Sequence, residues 1–136
     1  LHRENVEVAR LVEVEKDEGK IHGWGVRQID SGAALEDKVL GKGDSIILDF
    51  DDHLVGYLKL DVKPVGSPPD APLHLKLTFG EMPVEVAEPF SNYKGRLSSS
   101  WLQEEIIHVD VLPQVLEISR RYSLSQARGA GYFTKI

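Results

Sequence analysis

Four side chains able to bind a metal ion stand close together at Asp49, Asp51, Asp52 and His53. Clustered carboxylates can hold Ca²⁺, which takes about six to eight oxygen ligands. The segment lacks the central glycine and the distal glutamate of a helical calcium-binding loop. A solvated turn between two strands explains the same residues and is the preferred interpretation. We therefore predict no cofactor, with calcium near the three aspartates as the alternative.

A second candidate is Glu81, which follows Phe79-Gly80 at the end of a predicted strand. Glycoside hydrolysis uses two carboxylates that face each other across the sugar. The reaction would need a partner such as Glu85, Glu104 or Glu105, and sequence spacing alone brings none of them opposite Glu81. A glutamate that hydrogen-bonds a loop is the preferred interpretation, and no catalytic residue is predicted.

Aromatic side chains with polar neighbours are the third candidate. Sugars stack on aromatic rings, while polar side chains reach their hydroxyl groups. Several of these aromatic residues fall in a long irregular segment, a setting that is more often functional than idle. We predict carbohydrate contact at Trp24, Tyr57, Glu81, Tyr93, Arg96, Trp101 and Gln103. Packing in a core or an interface is the alternative for each ring.

The remaining chemistry-bearing residues show no motif. The histidines are His2, His22, His53, His74 and His108, and no two of them lie two or four residues apart. A transition-metal site would therefore have to be assembled by the fold. The chain has no cysteine, which removes disulfides, zinc–thiolate sites and cysteine nucleophiles. It also lacks a Gly-x-Ser-x-Gly nucleophile elbow and a glycine-rich phosphate loop that opens a helix.

The elements that must position these residues are mostly strands, because apolar and polar residues alternate along them. The predicted strands cover residues 4–14, 21–29, 45–50, 53–63, 73–79, 101–111, 115–119 and 132–136. The first is interpreted as half-buried, with a helix as its alternative. The two long segments 53–63 and 73–79, joined by a loop rich in Pro and Gly, are expected to pair antiparallel with one solvated face. Thr78 is expected on the solvated face, and the apolar face is expected to include Leu58, Leu60, Leu77 and Phe79.

Helical signals are few. Residues 31–41 favour a short helix or an ordered loop, since Ser31 can cap a helix and Gly41 can end one. Residues 80–100 have little regular pattern. The fold class predicted is all-β, an antiparallel β-sandwich of jelly-roll type with about seven or eight strands and at most one short helix. No linker divides the chain, so residues 1–136 are interpreted as one domain.

Composition and charge exclude some classes of partner but do not identify the function. The 136 residues carry a formal net charge of -6, which argues against nucleic acid as the main partner because phosphate binding needs a clustered basic face. No apolar run approaches the roughly 20 residues that span a bilayer, so no membrane contact is predicted. The chain does not begin with the charged and then apolar segments of a secretory signal peptide. The sequence therefore leaves two localisations open, the cytoplasm and export.

Several short motifs resemble, in the same order, an accessory β-sandwich of the bacterial α-L-rhamnosidases. They are IILDF at 46–50, LVGYLKL at 54–60, FGE at 79–81, WLQEE at 101–105, VD at 109–110 and RRY at 120–122. The similarity covers residues 41–136, and residues 1–40 carry none of it. Two departures stand out. Asp51 stands where the family usually has a glycine after the Asp-Phe pair. The Arg-Tyr strand that closes the family's domain is matched only loosely, at residues 131–133.

The resemblance implies a non-catalytic role. The hydrolytic carboxylates of these enzymes belong to a separate barrel of helices, and this chain has no comparable helical segments. The resemblance therefore implies an accessory β-sandwich that supports a catalytic barrel, in the same chain or another subunit, and contacts rhamnose-containing carbohydrate. A free-standing carbohydrate-binding module is the alternative, and a small carboxylate-dependent hydrolase is a more distant one.

Overall fold

A computed structural model describes residues 4–66, 71–88, 103–110, 116–122 and 133–135, and in the last two ranges it describes the backbone. The strands are β1 Arg10–Lys16, β2 Trp24–Ser31, β3 Ile47–Asp49, β4 Gly56–Val62, β5 Leu73–Gly80, β6 Gln103–Val109, β7 Leu116–Tyr122 and β8 Phe133–Lys135. One α-helix, α1, spans Pro83–Ala87, and two 3₁₀ helices span Ile21–Gly23 and Gly32–Asp37. None of the described helices is long and apolar enough to cross a membrane.

The strands form two antiparallel sheets. Six of them lie in the order β2-β1-β3-β8-β5-β6, and β4 pairs with β7 in a second sheet. This arrangement confirms the predicted all-β antiparallel sandwich, and the eight described strands agree with the expected number. The described residues form three short helices rather than at most one, because helices of three to six residues are too short to show a helical period in the sequence. The short helix expected within residues 31–41 is the 3₁₀ helix Gly32–Asp37.

The sandwich core lies between β4 and the β5–β6 pair. Leu77, Phe79 and Ile107 are buried there, and Leu58 and Leu60 of β4 pack against them. The expected pairing of the 53–63 segment with the 73–79 segment is therefore wrong. Strand β4 pairs with β7, and β5 pairs with β6 and β8. Alternation correctly identified the apolar face of each strand, but the two faces meet across the sandwich rather than side by side in one sheet.

Strand β1 is buried on both faces at its start. Leu11 packs with Leu48 on the inner face, under Leu35 of the 3₁₀ helix. Val12 packs on the outer face against Val86 of α1. The half-buried strand expected over residues 4–14 is therefore corrected in bounds, to Arg10–Lys16, and in burial. The 3₁₀ helix Gly32–Asp37 covers one face and α1 covers the other. Alternation of residues within β1 cannot show that both faces are covered.

Helix α1 lies within residues 80–100, where the sequence shows little regular pattern. Pro83 occupies the first turn, and the Glu85 side chain accepts a hydrogen bond from the backbone N–H of Met82, as in a capping box. The helix covers part of the outer face of the large sheet. Thr78, expected to face solvent, lies level with Val12 on that face and is buried.

Smaller differences concern strand ends. The segment 21–29 begins with a 3₁₀ turn in which His22 and Gly23 have φ of 61° and 75°, so the strand starts only at Trp24. Strand β3 keeps three residues of the apolar run 45–50. The 101–111 segment contributes Gln103–Val109 as β6, and its residues 101, 102 and 111 lie outside the described residues.

Candidate functional site

The aspartate cluster is organised around Arg10. Nε of Arg10 donates to Oδ2 of Asp49 at 2.6 Å, and its terminal nitrogen donates to Oδ1 of Asp51 at 3.0 Å. The backbone N–H of Asp51 donates to Oδ1 of Asp49 at 2.9 Å. Asp49 is only 1% exposed, so its carboxylate is a buried charge that has both an ionic partner and hydrogen bonds. Such a buried carboxylate is tolerated because it is paired.

The same contacts act on Arg10. The hydrogen bond that Arg10 donates to Asp49 raises the pKa of the Arg10 guanidinium, against the smaller lowering by desolvation, and the charges of Asp49 and Asp51 add to the rise. Asp51 itself sits at φ 56°, which turns the chain sharply after β3. The cluster therefore acts as an ionic clamp that joins the start of β1 to the end of β3. Among residues 4–66, 71–88 and 103–110, no three His, Asp or Glu side chains converge as a metal site would require.

Glu81 lies at the end of β5, where Glu85 organises the backbone. Oε2 of Glu85 accepts hydrogen bonds from the backbone N–H of Glu81 at 2.5 Å and of Met82 at 2.9 Å. Glu85 is 4% exposed. A Cβ at Gly80 would stand 2.8 Å from Cβ of Glu85, so the close packing of the helix on this turn requires glycine there. The sequence indicated Glu81 as a glutamate that binds a loop, and Glu85 is a second glutamate, whose side chain binds this turn.

Trp24 lies on the outer face of the large sheet, at the turn end of the β1–β2 hairpin. Its Nε1 donates to Oε1 of Glu88, the residue that ends α1, at 3.4 Å. The ammonium of Lys16, directly opposite in the register, lies 5.8 Å from the centre of the indole ring. The ring is half-buried. An aromatic ring flanked by a cation and a carboxylate can stack on a sugar and bind its hydroxyl groups.

The other described candidates lie far from Trp24. Gln103 begins β6, opposite Phe79, and Glu81 follows the neighbouring strand β5. Strands β2 and β6 are the two edges of the large sheet, five strand-to-strand steps apart. At about 4.8 Å a step, they are separated by roughly 24 Å. Trp24 and Gln103 therefore cannot contact the same monosaccharide.

Tyr57 lies on the second sheet, in β4, with its side chain 62% exposed. Three further predicted residues, Tyr93, Arg96 and Trp101, lie outside the described residues. The structure thus places the described candidates at separate points rather than in one constellation, and their role in carbohydrate contact stays a prediction.

A groove of about 460 Å³ opens where β3 begins beside β1. Its walls combine aliphatic side chains such as Val14 and Leu40 with the charged residues Glu13, Lys38 and Asp44. A groove of this volume is in the range that holds small molecules. None of the predicted carbohydrate-contacting residues lines it.

Sequence reasoning missed three contacts that matter at these sites, namely Arg10–Asp49, Trp24–Glu88 and the binding of the 80–82 turn by Glu85. Arg10 and Asp49 are 39 residues apart, and Glu88 meets Trp24 across 64 residues, so no local spacing signals either contact. Glu85 did carry a local signal. A proline two residues before a glutamate is a recognisable helix start, although five residues of helix leave no amphipathic period to support it.

The chain is similar in sequence and structure to one group of known proteins. The family model described as the glycosyl hydrolase family 78 alpha-rhamnosidase N-terminal domain matches residues 8–127, which extends into the stretch 1–40. A solved structure, a rhamnosidase from Klebsiella oxytoca with rhamnose bound, is 42% identical with a TM-score of 0.70. The match covers 95% of this chain and 24% of that rhamnosidase, so this chain spans about a quarter of its length. No curated protein matches. Because the family model covers most of the chain, the chain belongs to the glycosyl hydrolase family 78 alpha-rhamnosidase N-terminal domain family.

Proposed function

We propose that this β-sandwich is a non-catalytic accessory domain of an α-L-rhamnosidase-like glycoside hydrolase, where it supports a catalytic domain. The observation that carries the proposal is the match to the Klebsiella oxytoca rhamnosidase, which takes in 95% of this chain but only 24% of that one. Nearly the whole sandwich therefore corresponds to one part of a much longer enzyme. A domain with that relation to an enzyme is expected to fold as a unit and to pack on the remainder.

The contacts of the buried carboxylates support a structural role. Asp49 is bound by Arg10 and by the Asp51 amide, and Glu85 is bound by two backbone N–H groups. Both carboxylates hold chain turns in place. A glycosidase acid or base must instead face a sugar across an open cleft.

A domain exchange tests this role. The matching quarter of the Klebsiella oxytoca rhamnosidase is replaced by this chain, and hydrolysis of a chromogenic α-L-rhamnoside is measured for the chimera, the deletion and the isolated chain. We expect the chimera to retain activity, the deletion to lose soluble enzyme, and the isolated chain to show no turnover. Turnover by the isolated chain, or a folded chimera without activity, would contradict the proposal.

The finer part of the proposal is carbohydrate contact at Trp24. The half-buried indole lies between Lys16 and Glu88, which supplies one stacking surface and two polar groups. Amide resonances of the isolated chain are followed during titration with L-rhamnose. We expect saturable shifts around Trp24, weakened at least about fivefold in Trp24→Ala. Ile21→Ala is the matched control, since Ile21 is an exposed apolar residue of the same hairpin. Equal responses in both variants would remove Trp24 from the site.

A further inference from the structure

The fold assembles one pair of histidines that the sequence does not place together. His74 on β5 and His108 on β6 stand directly opposite each other in the antiparallel register. Both side chains are exposed. Their ring centres are 4.6 Å apart, and the ring planes are tilted by 42°. Opposite residues of an antiparallel pair share a face, with Cβ atoms about 4.5–5.5 Å apart.

This separation of the ring centres is compatible with binding of one metal ion by both imidazoles. A zinc–nitrogen bond is about 2.0–2.1 Å, and each ring centre lies about 1.1 Å behind its coordinating nitrogen. Two imidazoles that bind one ion at an angle of about 90–110° therefore have ring centres roughly 4.5–5.2 Å apart. The observed 4.6 Å falls inside this range. Rotation of two exposed rings is enough to aim a nitrogen of each at one ion, without any movement of the strands.

The surroundings favour a cation. Lys76 is the same-face neighbour of His74 along β5, and its ammonium pairs with Glu104 at 2.7 Å, so this positive charge is directed along the strands and is neutralised. Asp110 follows β6 two residues after His108 and is exposed, but its carboxylate does not converge with the two imidazoles as a third ligand. The strands beneath are fixed, because Ile107 is buried between them and β4.

We propose that His74 and His108 form a two-imidazole binding site for a divalent transition-metal ion, with water completing the coordination. Neutral imidazole suits Zn²⁺, Ni²⁺ and Cu²⁺. The bound ion links β6, an edge strand of the large sheet, to β5. The site is separate from the Trp24 surface, because it lies at the opposite edge of that sheet.

Calorimetric titration with Zn²⁺ alone tests the site in the full chain, in three single variants and in the double variant His74→Ala/His108→Ala. We expect His74→Ala and His108→Ala each to weaken the binding by at least about tenfold, because one imidazole then remains where two acted together. His22→Asn is the matched control, since asparagine tolerates the φ of 61° at that position, and it should bind within about twofold of the parent. Since both rings are exposed, the variants should keep the parent's circular dichroism and thermal midpoint in metal-free buffer.

A second readout separates this pair from zinc bound elsewhere. The ring proton resonances of His74 and His108 should shift together during the titration, and zinc should raise the thermal midpoint of the parent but not of the double variant. Unchanged zinc binding in the double variant would overturn the proposal. So would a parent chain that binds no zinc into the millimolar range, or one in which only other histidines shift.

Discussion

The two ends of β1 are built differently, although both carry arginine–carboxylate pairs. At the start of the strand, Arg10 pairs with Asp49, whose carboxylate is 1% exposed, and Leu11 and Val12 are buried on opposite faces. At the other end, Arg27 of β2 pairs with Glu13 and lies 3.6 Å from Glu15, and all three side chains are more than half exposed. The burial of the partner, rather than the presence of a pair, sets how much each arginine should contribute to stability.

The largest expected effect is at the buried end, in Gly32→Ala. A Cβ at Gly32 would lie 1.7 Å from the backbone oxygen of Val8. The backbone N–H of Gly32 also donates a hydrogen bond to the backbone oxygen of Ala9 at 3.1 Å, so the two segments cannot move apart without losing this bond. We expect a loss of more than about 4 kcal/mol in the free energy of unfolding, or failure to fold. Urea denaturation followed by circular dichroism measures it.

The matched control is Gly56→Ala. A Cβ at Gly56 meets no atom within 4 Å, so the unfolding free energy should change by less than about 1 kcal/mol. Equal midpoints for the two variants would show that the close approach at Gly32 is not rigid.

Arg10→Ala should have the next largest effect. It leaves the carboxylate of Asp49 buried without its ionic partner, and breaking a fully buried pair in this way costs about 3–5 kcal/mol. Because the Arg10 side chain is 38% exposed, water screens part of this pair, and we expect a loss of about 2–3 kcal/mol. The same urea titration provides the value. Arg10→Lys, which keeps the charge but not the two-directional guanidinium, should fall between the parent and Arg10→Ala. A loss below about 1 kcal/mol would show that the clamp contributes no more than a surface pair.

The smallest effect is expected at the exposed end, in Arg27→Ala. Exposed ion pairs contribute about 0–1 kcal/mol, and salt screens them. The difference from the parent should shrink further when the titration is repeated at high sodium chloride. A loss as large as that of Arg10→Ala would remove the distinction between the two ends of the strand.

Local sequence patterns predicted most of the strands, but they did not predict the side-chain contacts between distant segments. Alternation in β4 and β5 correctly identified Leu58, Leu60, Leu77 and Phe79 as inward-facing, because a strand with one covered face has a period of two. It failed for the start of β1, where helices cover both faces. It could not choose pairing partners, because the order of strands in a sheet depends on contacts between distant segments.

The candidate site shows the same limit. Trp24 and Gln103 were grouped by residue type, yet they lie at opposite edges of one sheet. The residues that hold Trp24 and Asp49, namely Glu88 and Arg10, come from segments distant in sequence. Residue chemistry therefore identified individual candidates, whereas their neighbours depended on the fold.

The position of β8 has a consequence for how the chain reaches this structure during synthesis. Strand β8 is the last of the eight in sequence, yet it lies between β3 and β5 and pairs with both. Among the described strands, β2-β1-β3 and β5-β6 meet in the large sheet only through its three residues. On the ribosome, the two groups of strands must wait with facing edges uncovered until residues 133–135 emerge. Unpaired edges of this kind invite association between chains, so timely docking of β8 protects the nascent domain as well as completing its sheet.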